Sequence, residues 1–190
     1  MSSVVESIRD EFLRFKALGE AAIGQLSDAE LGRANSSSDN SIAIICWHLS
    51  GNLRSRFTDF LTSDGEKPWR HRDEEFVARA VGRTELLEKW EHGWSVLLST
   101  LNELTDEQLG LTITIRGQAM LVHEALHRSL GHIAYHVGQI VFIAKSVRGS
   151  SWRTLSIPLG QSETYNKSPR NERPAAHRAA LLKGGQDPAP

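Results

Sequence analysis

Three observations in the amino-acid sequence predict an all-α chain built as a four-helix bundle. Four long segments repeat apolar residues three or four positions apart, the spacing of one helix face. Strand-like alternation occurs in one short stretch only, residues 111–122. Five of the six prolines (Pro158, Pro169, Pro174, Pro188 and Pro190) lie beyond Gly149, so the composition shifts there from the long helical segments to a tail. The expected organisation is a bundle domain over residues 1–165, with a small β-hairpin before the last long helix, followed by an irregular Pro-rich tail over 166–190.

The first helix carries Val4, Ile8, Phe12, Phe15, Leu18 and Ala22 on one face and ends at Gly24. A polar run over 32–40, containing Ser36-Ser37-Ser38, leads to Asn40 or Ser41 as the cap of the second helix. That helix has the stripe Ile42, Cys46, Leu49, Leu53, Phe57 and Phe60, and Gly65 and Pro68 punctuate its end. After a charged connection over 69–75, the third helix covers about 84–104 with Leu86, Trp90, Trp94, Leu97, Leu101 and Leu104 on one side. Thr105 caps a further helical turn. Residues 111–115 and 118–122 pair about Arg116-Gly117 as a hairpin. The fourth helix covers about 122–147 and stops at Gly149. Within the tail, 174–183 is compatible with a short helix that has Pro174 in its first turn.

Composition excludes several function classes. Among 190 residues, 22 Lys and Arg stand against 23 Asp and Glu, a net charge of −1. A protein that coats nucleic acid or an anionic membrane needs a basic excess, and no nucleic-acid-reading motif is present. No apolar run approaches the roughly 18 residues of a membrane span. One cysteine, Cys46, excludes an internal disulfide framework. Residues 1–15 are charged and amphipathic, without the apolar core of a signal peptide. The expectation is a cytoplasmic protein acting on a small molecule. Against this plain background stand eight histidines, five of them between His92 and His136.

Four of those five form two pairs on the last long helix, His123/His127 and His132/His136, each spaced i, i+4. Such spacing stacks two imidazoles on one face, where they can share a metal ion. At roughly 100° per residue the second pair lies about 180° around the helix from the first, so the pairs cannot serve one ion. The stripe Leu126, Leu130, Ile133, Val137, Ile140 and Ala144 runs between them, and geometry alone does not choose. The first pair completes His123-Glu124-x-x-His127, the zinc metallopeptidase signature with Glu124 as general base. Its support is thin: the places of the extended motif's glycine and third histidine hold Leu130 and Ile133. Ordinary polar positions on a helix flank are the better reading of His123 and His127. The second pair needs a ligand from elsewhere, and His48 is available mid-helix beside the polar edge Asn52, Ser55, Arg56 and Asp59. That edge also reads as a simple solvated face.

The stretch Cys46-Trp47-His48-Leu49-Ser50-Gly51-Asn52, with His132-Ile133-Ala134-Tyr135-His136-Val137-Gly138-Gln139-Ile140, resembles the DinB-like superfamily, which includes the YfiT-like metal-dependent hydrolases. Within it the chain is similar to an uncharacterised bacterial branch. Residues 55–60, 67–76 and 152–158 match as well, and the resemblance covers about 1–166. It implies a four-helix bundle, a homodimer, and one divalent metal held by His48, His132 and His136. The His-Glu-x-x-His string is then coincidental. Three neutral imidazoles leave the ion's charge uncancelled and a position open, the pattern of a reactive site. Zinc and nickel both accept such ligands. Asn52 and Gln139 are candidates for orienting the rings.

Relatives in that superfamily include thiol S-transferases using low-molecular-weight thiols and a thiol-dependent maleylpyruvate isomerase. The resemblance therefore implies a transferase or hydrolase that activates a small thiol or water against an electrophile. Arg56, Arg70, Arg72 and Asp73 are candidates for contacting a charged substrate, with a solvated charge cluster as the alternative. A non-catalytic, stress-linked scaffold with a structural metal is the competing function class. The tryptophans, Tyr135 and Cys46 read as packing residues.

Overall fold

The structure, a computed structural model, describes residues 3–184 except 35, 37 and 38. Ser37 and Ser38 of the polar run, and Pro188 and Pro190 of the expected tail, lie outside the described residues. The chain is mostly helical, with one two-stranded antiparallel hairpin.

Helix α1 (Val4–Ile23) begins at a reciprocal cap, in which the Glu6 N–H donates to Ser3 Oγ at 3.0 Å and the Ser3 N–H to Glu6 Oε2 at 2.9 Å. Val5 rather than Val4 enters the core; Val4 faces solvent. A short α2 (Asp28–Leu31) follows. Helix α3 (Ile42–Phe57) starts as expected, with Ser41 Oγ accepting from the Ile44 N–H at 3.2 Å. It ends before the apolar stripe does. Thr58 is extended and Asp59 takes a left-handed φ of 49°. Phe60 nevertheless reaches the core through that turn, its ring 5.1 Å from the ring of Phe57. The stripe identified the buried residues correctly but overran the helix.

Helix α4 (Arg83–Glu103) buries Leu86, Trp90, Trp94, Leu97 and Leu101 as its periodicity requires. It meets α3 closely at Gly93, where a Cβ would stand 2.6 Å from the Ser50 Cα, so only glycine permits the approach. Strands β1 (Thr112–Ile115) and β2 (Gln118–Leu121) pair from Thr112–Leu121 to Ile115–Gln118. Arg116 and Gly117 both have positive φ, as a two-residue hairpin turn demands. Asp64 clasps this turn, accepting from the N–H groups of Arg116 and Gly117 at 2.8 Å each, and from Glu66 N–H at 2.7 Å. Bonds from Glu66, then Gly117 and Arg116, hold its carboxyl well below the usual carboxylate range.

Helix α5 (Val122–Arg148) buries Leu126, Ile133, Val137, Ile140 and Ala144. Where it is described, the expected tail over 166–190 is not irregular throughout: it takes in the end of α6 (Ser162–Lys167) and carries α7 (Pro174–Gly184), the short helix that the sequence allowed over 174–183. Pro174 sits in the first turn of α7, where its missing N–H costs nothing. Leu181 is buried, and His177 Nε2–H donates to the Leu155 carbonyl at 3.0 Å. Docking against α1 holds this short helix in place. The main packing runs α3 along α4, and α1 along α5 and α7. Among the described residues, no helix is long and apolar enough to cross a membrane.

Candidate metal centre

Ile42, Ile45, Cys46, Leu49 and Leu53 turn one side of α3 into the core, which leaves His48 at the margin facing α5. On α5, Ile133 and Val137 are buried, and His132 and His136 each precede one of them. The two helices thus bring three imidazoles together. His48 and His136 are buried, at 5% and 7% exposure, and His132 is partly buried. One ring nitrogen from each lies within 4.8 Å of the others. The ring centroids are 4.6 to 5.2 Å apart and the rings stand steeply to one another.

The tautomers follow from the outer hydrogen bonds. His48 Nδ1 is 2.9 Å from Glu75 Oε2. Arg70 grips the same carboxylate with two donors, Nε to Oε1 at 2.8 Å and Nη2 to Oε2 at 2.9 Å. Burial pushes the Glu75 carboxyl up, but the bonds from His48 and Arg70 outweigh it and hold the group below its ordinary value. An ionised carboxylate only accepts, so His48 Nδ1 carries a proton, and in the neutral ring the lone pair is on Nε2. His136 Nδ1 likewise donates to Gln139 Oε1 at 2.8 Å, freeing its Nε2.

His48 Nε2 then faces His132 Nε2 at 3.1 Å. Two lone pairs at that distance repel unless a proton or a cation lies between them. Two imidazoles on one ion at 2.0–2.1 Å would have nitrogens about 2.9–3.4 Å apart for bond angles from square to tetrahedral. The donor set therefore fits a divalent ion. Burial, then the neighbouring charges of His136, His48 and Arg70, lowers His132 to about 3. Burial lowers His136 as well, against the Gln139 bond that raises it. Both are neutral imidazoles with a lone pair at ordinary pH.

Gln139, one of the two candidates named from sequence, bonds to the His136 ring. Asn52 does not: it lines the cleft beside His48, but among the described residues it makes no hydrogen bond to the three rings. The residue that does orient His48 is Glu75, which sequence reasoning missed. It arrives from a 3₁₀ turn (Arg72–Phe76) and passes through a slot at Gly51, where a Cβ would stand 2.0 Å from Glu75 Oε1. The Phe76 ring lies 4.8 Å from that of His48.

The other histidine pair serves the start of α5. His123 Nδ1–H donates to the Leu109 carbonyl at 3.1 Å, and Glu124 Oε2 accepts from the Leu121 N–H at 2.7 Å. His127 is exposed. Among the described residues no third ligand approaches this pair, and its would-be general base caps a helix. Cys46 is fully buried, and burial pushes its thiol far up, as a packing residue requires.

A cleft of about 250 Å³ opens over His48 and His132. Arg56, Arg70 and Arg72 line it, as sequence suggested; Asp73 projects into solvent. Arg116 and Arg128 join them unanticipated, although Arg128 precedes His132 by one helical turn.

Fold and site together define a helical protein with a clustered histidine trio able to hold one ion. The chain belongs to the family described as protein of unknown function (DUF1572), which matches residues 1–161. No curated protein and no solved structure matches the chain.

Proposed function

We propose that this protein is a divalent-metal-dependent enzyme of the DinB-like kind, a four-helix bundle in which His48, His132 and His136 hold one zinc or nickel ion. The observation that carries the reading is the convergence of His48 and His132 Nε2 at 3.1 Å, with each outward Nδ1 of His48 and His136 already anchored. A structural zinc site normally closes with four protein ligands, whereas a trio leaves a position for chemistry. When bound, the ion supplies a lowered pKa to a coordinated water or small thiol near neutral pH. The protein's own part is positional. Glu75 and Arg70 fix the His48 ring, Gln139 fixes His136, and the packed helices restrict access to the cleft side. The substrate is a small electrophile, and the reaction is transfer of a low-molecular-weight thiol or hydrolysis. The homodimer implied by the resemblance belongs to this reading.

The test is the metal content of purified protein by mass spectrometry, then turnover with a panel of thiols and electrophiles. About one zinc or nickel per chain, lost in His48→Ala and His132→Ala, is expected together with metal-dependent turnover. Absence of metal at neutral pH would end the reading. Bound metal that raises the melting temperature without any turnover would move the protein to the scaffold class.

A further inference from the structure

The cleft over the histidines has an unusual wall. Arg56, Arg70, Arg72, Arg116 and Arg128 line it together with Ser129, and no carboxylate does. The carboxylates that pair with these groups stand behind or outside it. Glu75 holds Arg70, Glu66 is shared by Arg56 and Arg116, and Asp73 lies 3.7 Å from Arg72. Five guanidiniums against three carboxylates leave two positive charges unmatched. Arg128 is exposed and makes no ion pair among the described residues. Among the described residues, Arg72 is held by stacking on Phe76, at 4.8 Å, and by that long contact.

A second observation is independent of the charge count. The Arg70 side chain is only 2% exposed, yet its Nη1 has no hydrogen-bond partner among the described residues. Its other two donor groups are fixed by Glu75, so the guanidinium cannot swing away to hydrate the third. A buried orphan donor costs free energy unless an acceptor reaches it. Guanidiniums present forked donors that match a carboxylate or phosphate, and their attraction is strongest where water is excluded. The cleft is smaller than the roughly 300–1,000 Å³ of sites for drug-sized ligands, so its occupant is small.

We propose that this cleft is an anion subsite: the substrate of the centre carries an oxyanion, a carboxylate or a phosphate, gripped by Arg70, Arg72 and Arg128, which aims its reacting atom at the face of His48 and His132. As a statement about substrate the idea rests on the enzyme reading above. As a statement about binding it stands alone.

Calorimetry on the full chain separates the two. Malonate, inorganic phosphate and neutral malonamide would be titrated into chelator-treated and zinc-loaded protein. The wild type and the Arg72→Gln, Arg128→Gln and double variants would be compared, with circular dichroism as a fold control. Malonate or phosphate is expected to bind both forms, with malonamide at least tenfold weaker. The double variant should lose about tenfold or more in anion affinity while keeping the wild-type zinc stoichiometry. Tighter phosphate than malonate assigns the phosphate class; the reverse assigns carboxylates. Anion binding in protein that takes up no zinc would uphold the subsite and sink the metal reading. Equal binding of malonate and malonamide overturns the proposal. So does anion binding that needs zinc and ignores both arginine substitutions, because the ion would then be the receptor.

Discussion

Helix α5 carries the same two-histidine spacing twice, and the two copies have different fates. His123 and His127 sit in its first two turns, one ring donating to a loop carbonyl and the other in solvent. His132 and His136 sit mid-helix, where a third imidazole and a buried acid–arginine pair close on them. The spacing thus permits a shared ion, and the neighbouring elements decide whether a third ligand is there to complete the site. The better-known motif belongs to the copy that lacks those neighbours.

Substitution breaks or sharpens this contrast. The largest effect is expected from His132→Ala, which should cut zinc affinity by more than the roughly 10–100-fold that follows loss of an orienting partner. His127→Ala should leave it unchanged, and equal losses in a competition assay would erase the distinction between the pairs. Next comes Glu75→Gln, which keeps the shape but removes the charge: about 10–100-fold weaker zinc is expected. Gly51→Ala should reproduce much of that loss, since its Cβ displaces the Glu75 carboxylate. A Gly51→Ala protein with wild-type zinc affinity would remove Glu75 from the centre.

Acid should affect the inner pair directly. His132 has a folded value near 3 against about 6.5 unfolded, so below neutrality the unfolded chain binds more protons. Chelator-treated protein should therefore lose stability as pH falls from about 6.5 toward 3, read from urea midpoints, and the slope should shrink in His132→Ala. Smallest of all, His123→Ala should cost about 0.5–1.5 kcal/mol, the worth of one hydrogen bond, with no change in metal content.

Much of this was legible in sequence because helices report their own buried face. The stripes of α4 and α5 and the three clustered histidines required only periodicity and a resemblance. What escaped has one physical character. Glu75 lies 27 residues from His48 in a charged connection without period, and its role depends on a slot that a missing Cβ leaves at Gly51. The early end of α3 depended on a left-handed Asp59. The helix α7 was allowed by the sequence, but its docking on α1 was not visible in a Pro-rich composition. Long-range partners of this kind leave no local mark, and the arginine wall of the cleft was half visible for the same reason: its members come from four separate segments.

The packing of the helices gives the histidine trio a second consequence. His48 belongs to the α3–α4 pair and the other two histidines to the α1–α5 pair, and those pairs touch each other less than they touch within themselves. An ion shared by the three would cross-link the two halves over a chain separation of 84 residues, shrinking the freedom of the unfolded chain as a long loop closure does. Metal removal should then speed amide exchange along the whole α3–α5 seam, far beyond the turns that hold the imidazoles.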